Sequence, residues 1–131
     1  MRLLLDTHVA LWAVTTSEKL PNAIQEMIAA RDNDIIVSAA SIWEISTKHA
    51  LAQRGRVGLP VSGEDALELF QQSGYQLLPI MPSHAAAVEN LPNHHGDPFD
   101  RMLVAQALVE PLRLVSHDPM IARYSDTVIG F

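Results

Sequence analysis

Short apolar runs alternate along the chain with longer segments in which apolar residues recur every three or four positions. The apolar runs predict strands that are buried on both faces, and they lie at 2–5, 34–38, 75–80, 113–116 and 127–130. The periodic segments predict helices at 7–14, 22–31, 39–54, 63–74, 83–90 and 97–109. Because buried strands separated by helices favour parallel pairing, the pattern predicts an α/β fold, with a central, mostly parallel sheet flanked by helices in three layers.

The composition of the chain limits the classes of protein that are consistent with this pattern. A chain of 131 residues suits one domain over 1–131. The absence of cysteine excludes disulfides and thiolate metal sites and favours a cytoplasmic protein. The first apolar stretch is interrupted by Asp6 and His8, so we expect neither a signal peptide nor a membrane span. A net charge of −6 argues against nucleic-acid binding by bulk electrostatics, but a metal-dependent nuclease can be acidic.

Acidic residues recur just after predicted strands or within the first two turns of predicted helices. They are Asp6, Glu44, Asp97, Asp100 and Asp118. The carboxyl ends of parallel strands share one edge of a sheet, so these side chains can converge on one pocket. Crowded carboxylates repel each other, a cost that a bound divalent cation offsets, and oxygen ligands suit Mg²⁺ or Mn²⁺. Such a site suits phosphodiester hydrolysis, in which the hydroxyls of Thr7 and Ser116 could orient carboxylates or water.

Each acid also has a purely structural interpretation. Three of them fit helix N-caps: Asp6, Asp97 and Asp118. Ser41 with Glu44 fits a capping box, and Glu44 with Lys48 fits an ion pair along one helix face.

Other polar and aromatic residues have two interpretations each. His94 and His95 are either solvated loop residues or contacts for phosphate or metal. Arginines that could hold RNA phosphates, or simply be solvated, are Arg54, Arg56 and Arg101. Trp12 and Trp43 lie among helical apolar positions, which favours packing over base stacking.

Four stretches carry a family likeness over nearly the whole chain. In order they are LLLDTHVALW, VSAASIWEIS, GDPFDRMLVAQAL and LVSHD. Together they resemble the motif blocks of PIN-domain proteins, specifically the VapC-type toxins of bacterial toxin–antitoxin pairs. The resemblance implies a five-stranded parallel sheet and a ribonuclease dependent on Mg²⁺ or Mn²⁺. It also implies homodimers that a cognate antitoxin neutralises.

Position by position, the resemblance implies which acids form the metal site and perform catalysis: Asp6, Glu44, Asp100 and Asp118. The third motif offers two candidates, of which we favour Asp100 and assign Asp97 to capping the helix. The fourth motif often carries threonine where this chain has Ser116, and the hydroxyl is kept.

Two alternatives to a PIN-type ribonuclease stay open. One is a catalytically degenerate PIN-like module that only binds proteins. The other is a phosphoacceptor receiver domain, which would need an aspartate at the end of a middle strand and a lysine at the end of a late one. The only lysines, Lys19 and Lys48, do not follow predicted strands, which disfavours the receiver domain.

Overall fold

A computed structural model describes residues 1–55, 58–59 and 61–131, in which five strands alternate with seven helices. The strands are β1 (Arg2–Leu5), β2 (Asp34–Ser38), β3 (Gln76–Leu78), β4 (Arg113–Ser116) and β5 (Ile129–Gly130). The helices are α1 (Thr7–Thr15), α2 (Asn22–Ala29), α3 (Ala39–Gln53), α4 (Gly63–Gln72), α5 (Pro82–Ala87), α6 (Pro98–Val109) and α7 (Pro119–Ala122). Every helix in these ranges is too short or too polar to cross a lipid bilayer.

All five strands pair in parallel, in the order β3-β2-β1-β4-β5. The chain moves outward from β1 to β3 and then returns to place β4 on the other side of β1. In such a sheet, a crevice opens at the carboxyl ends of the two strands where the order reverses, here β1 and β4. A receiver domain has the order 2-1-3-4-5, so the receiver-domain alternative is wrong.

The three central strands, β1, β2 and β4, are buried on both faces because helices cover both, whereas the edge strands β3 and β5 are partly exposed, contrary to the prediction. Leu3 and Leu5 project into a cluster with residues of α1, α2 and α4, whereas Leu4 projects into a second cluster with residues of α6 and α7. All three leucines are fully buried. The predicted α/β fold with three layers is therefore confirmed.

The predicted N-caps are present at three acids. Asp6 accepts from the backbone N–H of Val9 at 2.9 Å, and Asp97 accepts from that of Asp100 at 3.0 Å. Asp118 accepts from the N–H of Met120 at 2.8 Å and begins α7, a short helix that the periodicity did not predict.

The predicted capping box of Ser41 and Glu44 is wrong. Strand β2 passes into α3 without a loop, so Ser38 is the N-cap and accepts from the N–H of Ala40 at 2.9 Å. Ser41 lies inside the helix and is buried.

Other element ends differ modestly from the predictions. Helix α5 begins at Pro82 instead of Ser83 and ends at Ala87, before a single 3₁₀ turn over Val88–Asn90. The turn after α4 uses Gly74, whose φ of 78° suits glycine and ends the helix as its position predicted. Arg56 lies outside the described residues.

Candidate active site

A cleft of about 220 Å³ lies at the carboxyl edge of the sheet, at the point where the strand order reverses. It is lined by Asp6, Thr7, His8, Glu44, Lys48, His95, Asp97, Asp100, Asp118 and Ile121. The four acids predicted as metal ligands thus reach one cleft, although they come from different elements. Asp6 follows β1, Glu44 lies on α3, Asp100 lies in the first turn of α6, and Asp118 follows β4.

Asp6 is held rigidly between the first and fourth strands. Its side chain accepts from the N–H of Val9 and, at 2.5 Å, from the Oγ of Ser116. The residue is only 6% exposed, and burial raises the pKa of its carboxyl although both hydrogen bonds oppose the change. The predicted role of Ser116 in orienting a carboxylate is therefore matched by a contact.

Glu44 is also buried, at 3% exposure, and both of its oxygens have partners. The Oγ1 of Thr7 donates to Oε1 at 2.7 Å, and the Nζ of Lys48 lies 2.5 Å from Oε2. The predicted ion pair with Lys48 is confirmed. The Oγ1 of Thr7 also lies within hydrogen-bond distance of the Oγ of Ser41, at 3.0 Å, so hydrogen bonds join α1 to α3 beneath the cleft.

Asp100 faces the cleft from the start of α6 with its side chain 19% exposed. Burial raises the pKa of its carboxyl to about 6. The negative charges of Asp97 and Glu44 contribute to this raised value, whereas the hydrogen bond to His95 opposes it. A nearby cation would stabilise the ionised form of such a carboxyl group.

Among the described residues, His95, Asp100 and Asp118 form a group of three potential metal ligands whose atoms lie within 4.8 Å of one another. The Nε2 of His95 lies 2.8 Å from Asp100 Oδ2 and 3.4 Å from Asp118 Oδ2. Carboxylates with one imidazole form a donor set that fits a divalent cation. Asp6 and Glu44 line the same cleft but lie outside this close group.

The choice between the two acids of the third motif agrees with this geometry. Asp97 uses its Oδ1 to accept the N–H of Asp100, as a cap does, while Asp100 turns its Oδ2 toward His95. His95 is the residue that sequence reasoning left undecided. Its position two residues before the helix cap Asp97 indicated that it could reach the site, but the sequence did not distinguish it from His94.

The remaining candidates have other contacts. Arg101 does not present a free guanidinium, because that group donates to the backbone carbonyls of Val88, Pro92 and His95. Arg54 is exposed at the end of α3. Trp43 is 59% exposed and packs edge-on against Phe99, so the prediction of packing for Trp43 holds only in part.

Comparison with known proteins gives a consistent family assignment. The PIN domain family matches residues 3–126. Ribonuclease VapC22 of Mycobacterium tuberculosis is 34% identical over 118 residues, which cover 88% of this chain and 85% of that protein.

Solved structures share the fold. VapBC2 from Rickettsia felis, bound to a DNA fragment from its promoter, matches with a TM-score of 0.68 and 14% identity, covering 100% of this chain and 98% of that one. FitAcB from Neisseria gonorrhoeae matches with a TM-score of 0.61 and 19% identity, covering 98% of this chain and 96% of that one. At these identities the likeness concerns the fold alone.

Proposed function

The chain belongs to the PIN domain family and is a homologue of VapC ribonucleases, and from this premise we propose that it is a metal-dependent ribonuclease and the toxin of a toxin–antitoxin module. The observation that carries the proposal is the convergence of four acids on one cleft at the carboxyl edge of the sheet. They are Asp6, Glu44, Asp100 and Asp118. A purely structural use of these acids would not require them to meet there.

In this proposal the four acids hold Mg²⁺ or Mn²⁺, and Asp100 and Asp118 have ligand atoms within 4.8 Å of each other. When bound, the cation supplies Lewis-acid activation of water and neutralises charge on the phosphodiester. Asp6 contributes a carboxylate whose orientation is set by Ser116 and by the N–H of Val9. Glu44 contributes a carboxylate that Thr7 and Lys48 hold in place.

The proposed substrate is RNA, as the name of the related ribonuclease VapC22 suggests. The net charge of −6 opposes binding of a phosphate backbone, so substrate binding should depend strongly on the cation. Lys48 is the one lysine among the residues that line the cleft, and Glu44 already holds its ammonium group. This arrangement supports a site in which the metal provides most of the positive charge that meets the phosphate.

The proposed partner is a cognate antitoxin, and the structural similarity to VapBC2 supports it. A basic segment of that partner would occupy the cleft, since the planar guanidinium of arginine matches carboxylates. We further propose a homodimer and a cytoplasmic location, as the family resemblance and the absence of cysteine suggest.

The test is incubation of the purified, partner-free protein with total RNA and Mg²⁺ or Mn²⁺, followed by mapping of the cut ends. We expect discrete new ends with the wild type, none in EDTA, and none with Asp6→Asn. Asp126→Asn, a change in an exposed turn that does not line the cleft, is the matched control and should cleave like the wild type.

Intact RNA with the wild-type protein and either metal would favour the degenerate protein-binding module instead. Equal cleavage by the wild type and Asp6→Asn would show that the acids are not the catalytic groups.

A further inference from the structure

His95 lies beside two carboxylates of the cleft, and its loop is held in place by several contacts. Its backbone N–H donates to the hydroxyl of Tyr124 at 2.9 Å. Its carbonyl accepts from the same hydroxyl at 3.3 Å and from Arg101 at 3.4 Å. Arg101 in turn donates to the carbonyls of Pro92 and Val88, so one guanidinium ties the loop before α6 to the helix itself.

The imidazole points toward carboxylates from two separate elements. Its Nε2 lies 2.8 Å from Asp100 Oδ2, at the start of α6, and 3.4 Å from Asp118 Oδ2, beyond β4. Adjacent ligands of an octahedral ion that lie about 2.1 Å from the ion are about 3 Å apart. The two measured distances lie on either side of that value. A purely structural histidine would need only one of these carboxylates as a partner.

We infer that His95 is a direct ligand of the divalent cation, together with Asp100 and Asp118, and that it makes the site favour Mn²⁺ over Mg²⁺. This inference rests on the proposed function and adds a nitrogen ligand to the four acids. Mg²⁺ is a hard ion that takes oxygen ligands, whereas an imidazole nitrogen favours a first-row transition-metal ion. The nitrogen therefore changes the selectivity of the site as well as its affinity.

An alternative role for the same side chain is positioning. His95 could donate its Nε2 proton to Asp100 and only orient that carboxylate, as residues around metal ligands often do. The two roles differ in measurable ways. A positioning residue places no nitrogen next to the metal, and its loss weakens Mn²⁺ and Mg²⁺ in the same proportion.

The experiment uses Mn²⁺ itself as the probe, bound to the full chain without partner or RNA. Electron spin echo envelope modulation of the bound Mn²⁺ detects a directly coordinated nitrogen, and protein labelled with ¹⁵N-histidine identifies that nitrogen as imidazole. Titration followed by the signal of free Mn²⁺ gives the dissociation constant, and competition gives that of Mg²⁺. The wild-type spectrum shows whether any histidine nitrogen binds the metal, and the variants assign that nitrogen to His95 rather than to His8, which also lines the cleft.

We expect histidine nitrogen coupling in the wild type and its loss in His95→Gln. The affinity for Mn²⁺ should fall about tenfold or more in this variant, and that for Mg²⁺ by a smaller factor. His94→Gln is the matched control, because His94 is the adjacent histidine and packs edge-on against Tyr124. It should keep both the coupling and the affinity.

The possible failures are distinguishable. Bound Mn²⁺ without histidine coupling, or equal losses of Mn²⁺ and Mg²⁺ affinity in His95→Gln, would overturn the role of His95 and leave the ribonuclease proposal standing. A wild-type protein that binds no Mn²⁺ at all would overturn both.

Discussion

The substitution Asp100→Asn should stabilise the metal-free protein at neutral pH and should do so much less in acid. Burial raises the pKa of Asp100 to about 6 in the folded protein, against an ordinary value of 3.8. The folded state therefore binds this proton more tightly than the unfolded state does. For a carboxyl with a raised pKa, the free energy of unfolding falls as the pH rises between the two values. The asparagine cannot ionise and avoids this loss.

The size of the effect comes from the same two pKa values. Each pH unit between them corresponds to about 1.4 kcal/mol, so the interval from 3.8 to about 6 corresponds to about 3 kcal/mol. The Asp100 side chain is 19% exposed, so solvent screens only part of this cost. The asparagine retains an oxygen that can accept from His95 and leaves the cap bond between Asp97 and the backbone N–H of residue 100 in place.

The assay is urea unfolding followed by circular dichroism, in EDTA, at several pH values from about 4 to about 8. The difference in free energy of unfolding between Asp100→Asn and the wild type should increase by up to about 3 kcal/mol over this range, mostly below about pH 7. The exposed Asp126→Asn serves as control and should show no such trend.

A constant difference between Asp100→Asn and the wild type across the whole range would refute the reasoning. It would mean that Asp100 ionises in the folded protein as easily as in the unfolded chain. The crowding of Asp97, Glu44 and Asp100 would then carry no cost for a cation to relieve. Addition of Mn²⁺ provides a second check, because it should raise the stability of the wild type and have little effect on Asp100→Asn.

Three further changes test the separation of roles among the cleft residues. Asp97→Ala should lower the free energy of unfolding by about 0.5–2 kcal/mol, measured in urea, because α6 loses its cap, yet RNA cleavage should remain measurable. Asp6→Asn should abolish cleavage but keep the circular dichroism spectrum. Without metal, the melting temperature of this variant should not fall at neutral pH, because burial disfavours the carboxylate charge that the substitution removes. Thr7→Val should cost about 1–3 kcal/mol in thermal unfolding, because it leaves the buried Oε1 of Glu44 without its donor; an unchanged melting temperature would contradict this.

The local pattern of apolar and polar residues was sufficient to predict much of the fold. The strands β1, β2 and β4 have the predicted bounds, because each is a continuous apolar run that must be covered on both faces. The caps at Asp6 and Asp97 were predictable, because a cap depends only on a side chain and the next three residues of its own helix. Boundaries were less predictable where the chain had no such local cue, as at α5 and the short strand β5.

The sequence identified only some of the residues that form the site. The alternation of strands and helices placed Asp6 and Asp118 at one edge of a parallel sheet, and the four acids of the resemblance do reach one cleft. The helix predicted from residue 39 already placed Ser41 inside α3, so the capping box of Ser41 and Glu44 conflicted with that prediction, and the structure keeps the helix start at Ala39.

Only the tertiary structure decided which groups face each other within the cleft. Thr7 meets Glu44 across 37 residues, and Ser116 meets Asp6 across 110. The approach of His95 to Asp118 depends on the packing of α6 against β4, and Arg101 holds the loop before α6 through the carbonyl of His95. A local sequence pattern carries no information on contacts of this range, because they depend on the order of strands in the sheet and on the packing of helices across it.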